Sequence, residues 1–296
     1  MYKDFYHLKK EPFHITPDPE FLFLSPSHNE ALASIIYGVE QKKGFIVVTG
    51  KVGVGKTTIL RSYIERIEGQ SLKVIYIFNS NISFEDLLKT IFQELGLNSE
   101  TDKVPEMVKQ LHQVMIEEYK QGNNVVLIVD EAQNMPVETL ENLRMLSNLE
   151  TATDKLIQIV LFGQPEIEQI FNRDELKQLK QRIAIRSSIV PFTKKESLDY
   201  IKHRLATVAT NDTTVFTKDA LKKIVSKAKG IPRTINILCD NALITGYGYQ
   251  KNPVDSKIVN EVIADLEGKR KQILLKWGVV FSALLLLVAV IFWIAP

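Results

Sequence analysis

The stretch Gly50-Lys51-Val52-Gly53-Val54-Gly55-Lys56-Thr57 constrains this chain more than any other. It fills every fixed position of G-x-x-x-x-G-K-[ST]. The run before it, Phe45-Ile46-Val47-Val48-Thr49, is apolar and β-branched and reads as a buried strand. The run after it, Thr58-Ile59-Leu60-Arg61-Ser62-Tyr63-Ile64, reads as a helix. In a strand–glycine loop–helix, backbone N–H groups wrap a phosphate and the helix N-terminus adds positive dipole. On this spacing Lys56 reaches the β- and γ-phosphates and Thr57 offers its hydroxyl to Mg²⁺. The loop Gly50–Thr57, with Thr58 behind it, is the expected binding site for ATP and Mg²⁺.

Strands and helices then alternate. Apolar runs at Phe45–Thr49, Val74–Phe78, Val125–Val129, Ile157–Phe162 and Ile185–Val190 predict five strands. Helical patterns lie at Asn29–Val39, Lys56–Ile67, Phe84–Leu95, Pro105–Tyr119, Val137–Leu149 and Glu166–Phe171. Continuously apolar strands separated by helices predict an α/β fold: a parallel sheet covered on both faces. Before it, residues 1–44 read as an N-terminal segment, kept extended at first by Pro12, Pro17 and Pro19. After Pro191 the strands stop, and helical patterns at 194–209, 217–229, 233–245 and 256–267 predict a smaller α-helical lid over 192–268. Ser83 with Asp86, and Thr193 with Glu196, carry helix-start signals.

The chemistry expected at the loop has further carriers. Val125–Val129 ends in Asp130-Glu131, a Walker B pattern. There Asp130 holds Mg²⁺ through water and Glu131 polarises the attacking water. Gln164, in Leu161-Phe162-Gly163-Gln164-Pro165, closes the next strand and is the candidate to orient that water and sense the γ-phosphate. Gly230-Ile231-Pro232 makes a sharp helix start and holds Arg233 on the first turn, where it would reach the γ-phosphate from the lid. Arg182 is the first candidate for an arginine finger into a neighbouring subunit, Arg186 the second and Arg173 the third; the alternative is an ion pair within the chain.

The last stretch predicts a different environment. From Trp277 to Ala295 there is no charged side chain. As a helix this stretch spans roughly 28 Å, close to a bilayer core. Lys269, Arg270, Lys271 and Lys276 precede it and only Pro296 follows, so the positive-inside rule places everything before the span in the cytoplasm. A single-pass transmembrane helix over 274–295 is therefore expected, in the inner (cytoplasmic) membrane. No apolar stretch follows the charged Met1–Tyr6, so no cleaved leader is expected. A net charge of +2 gives the whole protein no bulk affinity for polyanions, and the lone Cys239 excludes an internal disulfide. The lysines of the 218–229 helix (Lys218, Lys222, Lys223, Lys227, Lys229) are expected to form a solvated face rather than a nucleic-acid surface.

Beyond the loop, the chain carries Met1-Tyr2 with Phe5, Pro12-Phe13, Thr16-Pro17-Asp18-Pro19, and Leu24-Ser25 with His28, Glu30-Ala31-Leu32. It also has Gly44-Phe45, Asp130-Glu131-Ala132-Gln133-Asn134, Gly163-Gln164-Pro165-Glu166, Gln181-Arg182-Ile183 and Gly230-Ile231-Pro232-Arg233. With these motifs residues 1–267 resemble the AAA+ ATPases of the ExeA type, general secretion pathway protein A, and their pilus-biogenesis relatives. The resemblance implies Walker A, Walker B, sensor 1 and sensor 2 roles for the residues above, and an N-terminal segment on the nucleotide site in which His28 lines the base pocket. It implies a homo-oligomer, ring or dimer, that drives assembly or gating of an envelope machine for type II secretion, pili or surface polysaccharide export. Relatives of this kind continue into a periplasmic domain that binds peptidoglycan. This sequence stops at Pro296, so direct peptidoglycan binding is not expected. The alternative is a DNA-transaction ATPase resembling transposition regulators.

Overall fold

The computed structural model describes residues 2–16, 18–67, 71–99, 101–211 and 214–268. In chain order the elements are α1 (Tyr2–Phe5), α2 (Pro26–Glu40), β1 (Phe45–Gly50), α3 (Lys56–Ile67), β2 (Leu72–Ile77), α4 (Phe84–Glu94), α5 (Val104–Lys120), β3 (Asn124–Val129) and α6 (Val137–Ser147). Then follow β4 (Ile157–Gly163), α7 (Ile167–Phe171), α8 (Lys177–Arg182), β5 (Ile183–Ile189), α9 (Lys194–Val208), α10 (Lys218–Ala228), α11 (Pro232–Gly248) and α12 (Ser256–Leu266). The described residues belong to two compact units: those between 18 and 191, and residues 2–16 together with those from Phe192 to Gly268.

In the first unit the five strands form one parallel sheet in the order β2-β3-β4-β1-β5. Alternation along each central strand feeds two cores. Phe45, Val47, Val125, Leu127, Val129, Ile157, Ile159 and Leu161 join the side chains of α4, α5 and α6 on one face. Ile46, Val48, Val126, Ile128, Val160 and Phe162 join α2 and α3 on the other. Strands β1 and β4 are buried throughout, as central strands of a doubly covered sheet must be. The buried Gln158 within β4 is satisfied: its Oε1 accepts from the Gly44 amide at 2.8 Å and its Nε2 donates to the Lys155 carbonyl at 3.0 Å. The edge strand β2 stops at Ile77, one residue before its predicted end, and Phe78 stands 77% exposed.

The second unit is helical. The Thr193–Glu196 pair closes a full capping box on α9. Gly230, at φ +77°, follows Lys229 at φ +51°, so two left-handed residues turn α10 into α11. No larger residue fits at 230: a Cβ there would lie 2.1 Å from the Phe192 carbonyl oxygen. Cys239 is buried in this unit, and burial pushes its thiol well up from the ordinary value.

The N-terminal segment is where the structure departs most from the expected layout. The N-terminal segment 1–44 does not act as one piece: residues 18–40 pack with the sheet, whereas residues 2–16 belong to the helical unit. Nor is the start simply extended, since Tyr2–Phe5 forms a helical turn. The cause is a set of distant partners. The Tyr2 hydroxyl donates to Asp240 Oδ1 at 2.9 Å and the Tyr6 hydroxyl to the Lys251 carbonyl at 3.0 Å. The Lys9 amide donates to the Val208 carbonyl, Asn236 Nδ2 donates to the His14 carbonyl, and Phe13 meets Phe216 edge-on. Among the described residues no helix is long and apolar enough to cross a membrane. The span expected over 274–295 lies outside the described residues.

Candidate functional site: a phosphate loop with its acids

The glycine loop joins β1 to α3 at the C-terminal edge of the sheet, where open parallel sheets bind ligands. Gly53 and Gly55 take φ of +78° and +109°, backbone that side-chain-bearing residues disfavour. A Cβ on Gly55 would also lie 2.9 Å from His28 Nε2. Thr57 and Thr58 lie in the first turn of α3, whose amides have no acceptor within the helix. Lys56, 5% exposed, lies back over the loop and donates to the carbonyls of Gly50 (2.9 Å) and Lys51 (3.4 Å). Its ammonium stands 4.0 Å from Glu131 Oε1.

Strand β3 delivers the two acids. Asp130 Oδ2 accepts from the Thr57 hydroxyl at 3.4 Å and from the Tyr76 hydroxyl at 3.3 Å. Burial, and then the adjacent Asp130 carboxylate, push the Tyr76 phenol up to about 12, so it remains a neutral donor. Glu131 sits in the left-handed region, φ 49° and ψ 42°. For a residue with a side chain that costs roughly 1–2 kcal/mol. Its carbonyl accepts from the Ser80 hydroxyl at 2.8 Å and from the Asn134 amide at 2.9 Å, which fixes the turn.

Strand β4 lies between β1 and β3, which brings Gln164 in beside both motifs. Gln164 Nε2 donates to Glu131 Oε2 at 3.1 Å. Gln133 Nε2 donates to the same oxygen at 2.6 Å, and Gln133 Oε1 accepts from the Gln164 amide at 2.9 Å. Lys56, Thr57, Asp130, Glu131 and Gln164 thus converge.

The other predicted residues have different settings. His28 is 3% exposed beneath the loop; Ser25 Oγ lies 2.7 Å from its Nδ1, and its Nε2 donates to the Val54 carbonyl at 2.8 Å. Arg182 donates to the Ser147 hydroxyl of its own chain at 2.9 Å. Arg186 pairs with Glu168, donating to both carboxylate oxygens at 2.7 and 2.8 Å. Arg173 is exposed ahead of α8. Arg233 is exposed on the first turn of α11 in the helical unit. Three lysines of α10 have local partners: Lys222 with Asp219, Lys223 with Asn260, Lys227 with Glu267.

Residues 39–171 match the AAA domain family. Over 248 residues the chain is 38% identical to general secretion pathway protein A of Aeromonas hydrophila, an alignment covering 83% of this chain and 45% of that protein. The chain is thus similar to the AAA+ ATPases of the ExeA type, and residues 39–171 carry the AAA match. The chain is also 31% identical over 147 residues to the ATP-dependent target DNA activator B of Escherichia phage Mu, covering 48% of this chain and 43% of that one. The chain therefore spans less than half the length of these curated relatives. The fold matches the ORC2 protein of Aeropyrum pernix with a TM-score of 0.61 at 18% identity, over 83% of this chain and 70% of that one.

Three further residues that touch the acids have no distinguishing signal of their own in the sequence. Tyr76 is an ordinary aromatic in a strand, and Ser80 a loop serine. Gln133 lies inside the Asp130–Asn134 motif, but only the turn at Glu131 shows that its amide faces the acid.

Proposed function

We propose that this chain is a membrane-anchored ATPase that hydrolyses ATP to ADP and phosphate and uses the cycle to assemble or gate a cell-envelope machine. One observation carries the enzymatic part: Lys56, Thr57, Asp130, Glu131 and Gln164 meet at the C-terminal ends of β1, β3 and β4. The donor set fits Mg²⁺, a hard cation that takes one or two carboxylates and hydroxyl oxygens and completes its shell with phosphates and water. Thr57 and Asp130 would hold it, and it would draw charge from the β- and γ-phosphates.

Lys56 exchanges its two loop carbonyls for phosphate oxygens, and the loop amides grip the rest. Glu131 accepts the proton of the attacking water, with Gln164 beside it orienting that water. Arg233 of the helical unit and Arg182 of a neighbouring copy are proposed to read the γ-phosphate, in a homo-oligomeric ring or dimer. The uncharged run from Trp277 to Ala295, preceded by Lys269, Arg270, Lys271 and Lys276, supports a cytoplasmic ATPase held at the inner membrane by the 274–295 segment. The likeness to general secretion pathway protein A supports a secretion, pilus or polysaccharide-export setting. The likeness to the phage activator keeps a DNA-linked role as the competing reading.

Membranes from cells making the full chain are expected to carry ATPase activity that Lys56→Ala abolishes. Glu131→Gln should retain bound ATP while losing turnover at least a hundredfold, the order of a lost general base. Deleting residues 269–296 should move the protein to the soluble fraction. Equal turnover in wild type and both variants would sink the enzymatic reading, and a truncated chain that still sediments with membranes would sink the anchor. Salt-sensitive DNA binding would favour the competing role.

A further inference from the structure

Two glutamine amides converge on one oxygen of Glu131. Gln133 Nε2 donates to Oε2 at 2.6 Å and Gln164 Nε2 donates to it at 3.1 Å. The orientation of the Gln133 amide is settled by chemistry. The Gln164 backbone N–H can only donate, so the atom facing it at 2.9 Å is the Gln133 oxygen, and the nitrogen faces Glu131. One side chain therefore ties the acid of β3 to the loop after β4. The left-handed turn at Glu131, held by Ser80, brings residue 133 back beside residue 131.

On its other side the carboxylate has a competing partner. Glu131 Oε1 stands 4.0 Å from Lys56 Nζ, the outer limit of an ion pair. A modest shift of either side chain would close that pair. The closed pair would withdraw the carboxylate from water and the ammonium from phosphate at once.

We propose that Gln133 is a positioning residue that restrains the Glu131 carboxylate from collapsing onto Lys56, and so keeps the lysine open to phosphate. The inference rests on the ATPase reading above and assigns a regulator to that same site. It separates Gln133 from a bystander that merely fills the turn, because its effect must pass through the charge on Glu131.

The test is a double-mutant cycle read by nucleotide binding, so it does not depend on turnover. Gln133→Met preserves length and bulk but cannot form either hydrogen bond. Affinity for a fluorescent ATP analogue is measured on the full chain for wild type, Gln133→Met, Glu131→Gln and the double variant. With Glu131 present, Gln133→Met is expected to weaken binding about fivefold, the scale of one partly exposed ion pair. With Gln at 131 there is no charge to collapse, and the same change is expected to alter binding by less than about twofold. The turnover of Gln133→Met should fall as well, by more than its affinity does. Equal weakening in both backgrounds would overturn the proposal and leave Gln133 a structural residue; so would unchanged affinity in Gln133→Met. Lys56→Ala, measured alongside, reports on the ATPase reading itself. If wild type binds no nucleotide, that reading falls and this one with it; if wild type binds and the two Gln133→Met effects agree, only this one falls.

Discussion

His28 ties α2 to the phosphate loop, and its loss is expected to weaken nucleotide binding through the backbone rather than through the base. Its Nε2 lies 2.8 Å from the Val54 carbonyl, and a carbonyl only accepts, so that nitrogen carries the proton. Val54 and His28 are both buried. His28→Leu keeps an apolar body in place and leaves the carbonyl without the ring's hydrogen bond. An orphaned buried acceptor costs about 1–3 kcal/mol, so ~2 kcal/mol is the central value. For a domain of about 150–250 residues that is a fall of about 4–8 °C in Tm. If the whole cost is felt as loss of the bound loop conformation, the Kd for ATP rises by up to about thirtyfold.

The assay pairs thermal unfolding with competition binding, using ATP and inorganic tripolyphosphate as separate ligands. A strut under the loop affects both ligands alike, because the loop grips phosphates. A base-pocket histidine affects ATP alone. His28→Phe, which retains a ring for stacking, is expected to be as impaired as His28→Leu. Wild-type affinity in His28→Phe, a loss confined to ATP, or an unchanged melt in His28→Leu would refute the strut.

Two further predictions concern the helical unit. Gly230→Ala places a Cβ 2.1 Å from the Phe192 carbonyl oxygen at φ +77°, so backbone must move. A loss of more than about 2 kcal/mol is expected, and a melt indistinguishable from wild type would refute it. Asp255 caps α12, with Oδ1 accepting from the Lys257 amide at 2.9 Å and the Ile258 amide at 3.2 Å. Those bonds, Ile258 first, hold its carboxyl below the usual range. Its folded pKa lies below the unfolded one, so its contribution is present above the unfolded value near 4 and is lost as pH falls through the folded value. Asp255→Ala should cost about 1 kcal/mol near neutrality by hydrogen exchange across α12, and the gap to wild type should narrow as pH drops from about 5 towards 3. A gap constant with pH would contradict the capping account.

Local chemistry made much of the fold legible. Helix α3 runs over Lys56–Ile67 as predicted, because a glycine loop ends where its lysine begins the helix. The Ser83 cap and the Thr193 box are in place, since each needs only residues within one turn. The central strands announce themselves by uninterrupted apolar runs, and the edge strands are blurred at their ends, where one side of the ladder lacks a neighbour.

The sequence by itself therefore determined the phosphate loop, its lysine and threonine, the acid pair, and the succession of strands and helices. These follow from spacing within a few residues. Tertiary structure decided what distant residues do to one another. The order β2-β3-β4-β1-β5 seats Gln164 between loop and acids, and neighbouring strands bring Tyr76 to Asp130. A single left-handed residue turns Gln133 onto Glu131. Residues 2–16 join helices from the far end of the chain, through tyrosine hydroxyls and aromatic edges. An aromatic side chain says only that it seeks burial; the surface that buries it exists only once the chain has folded.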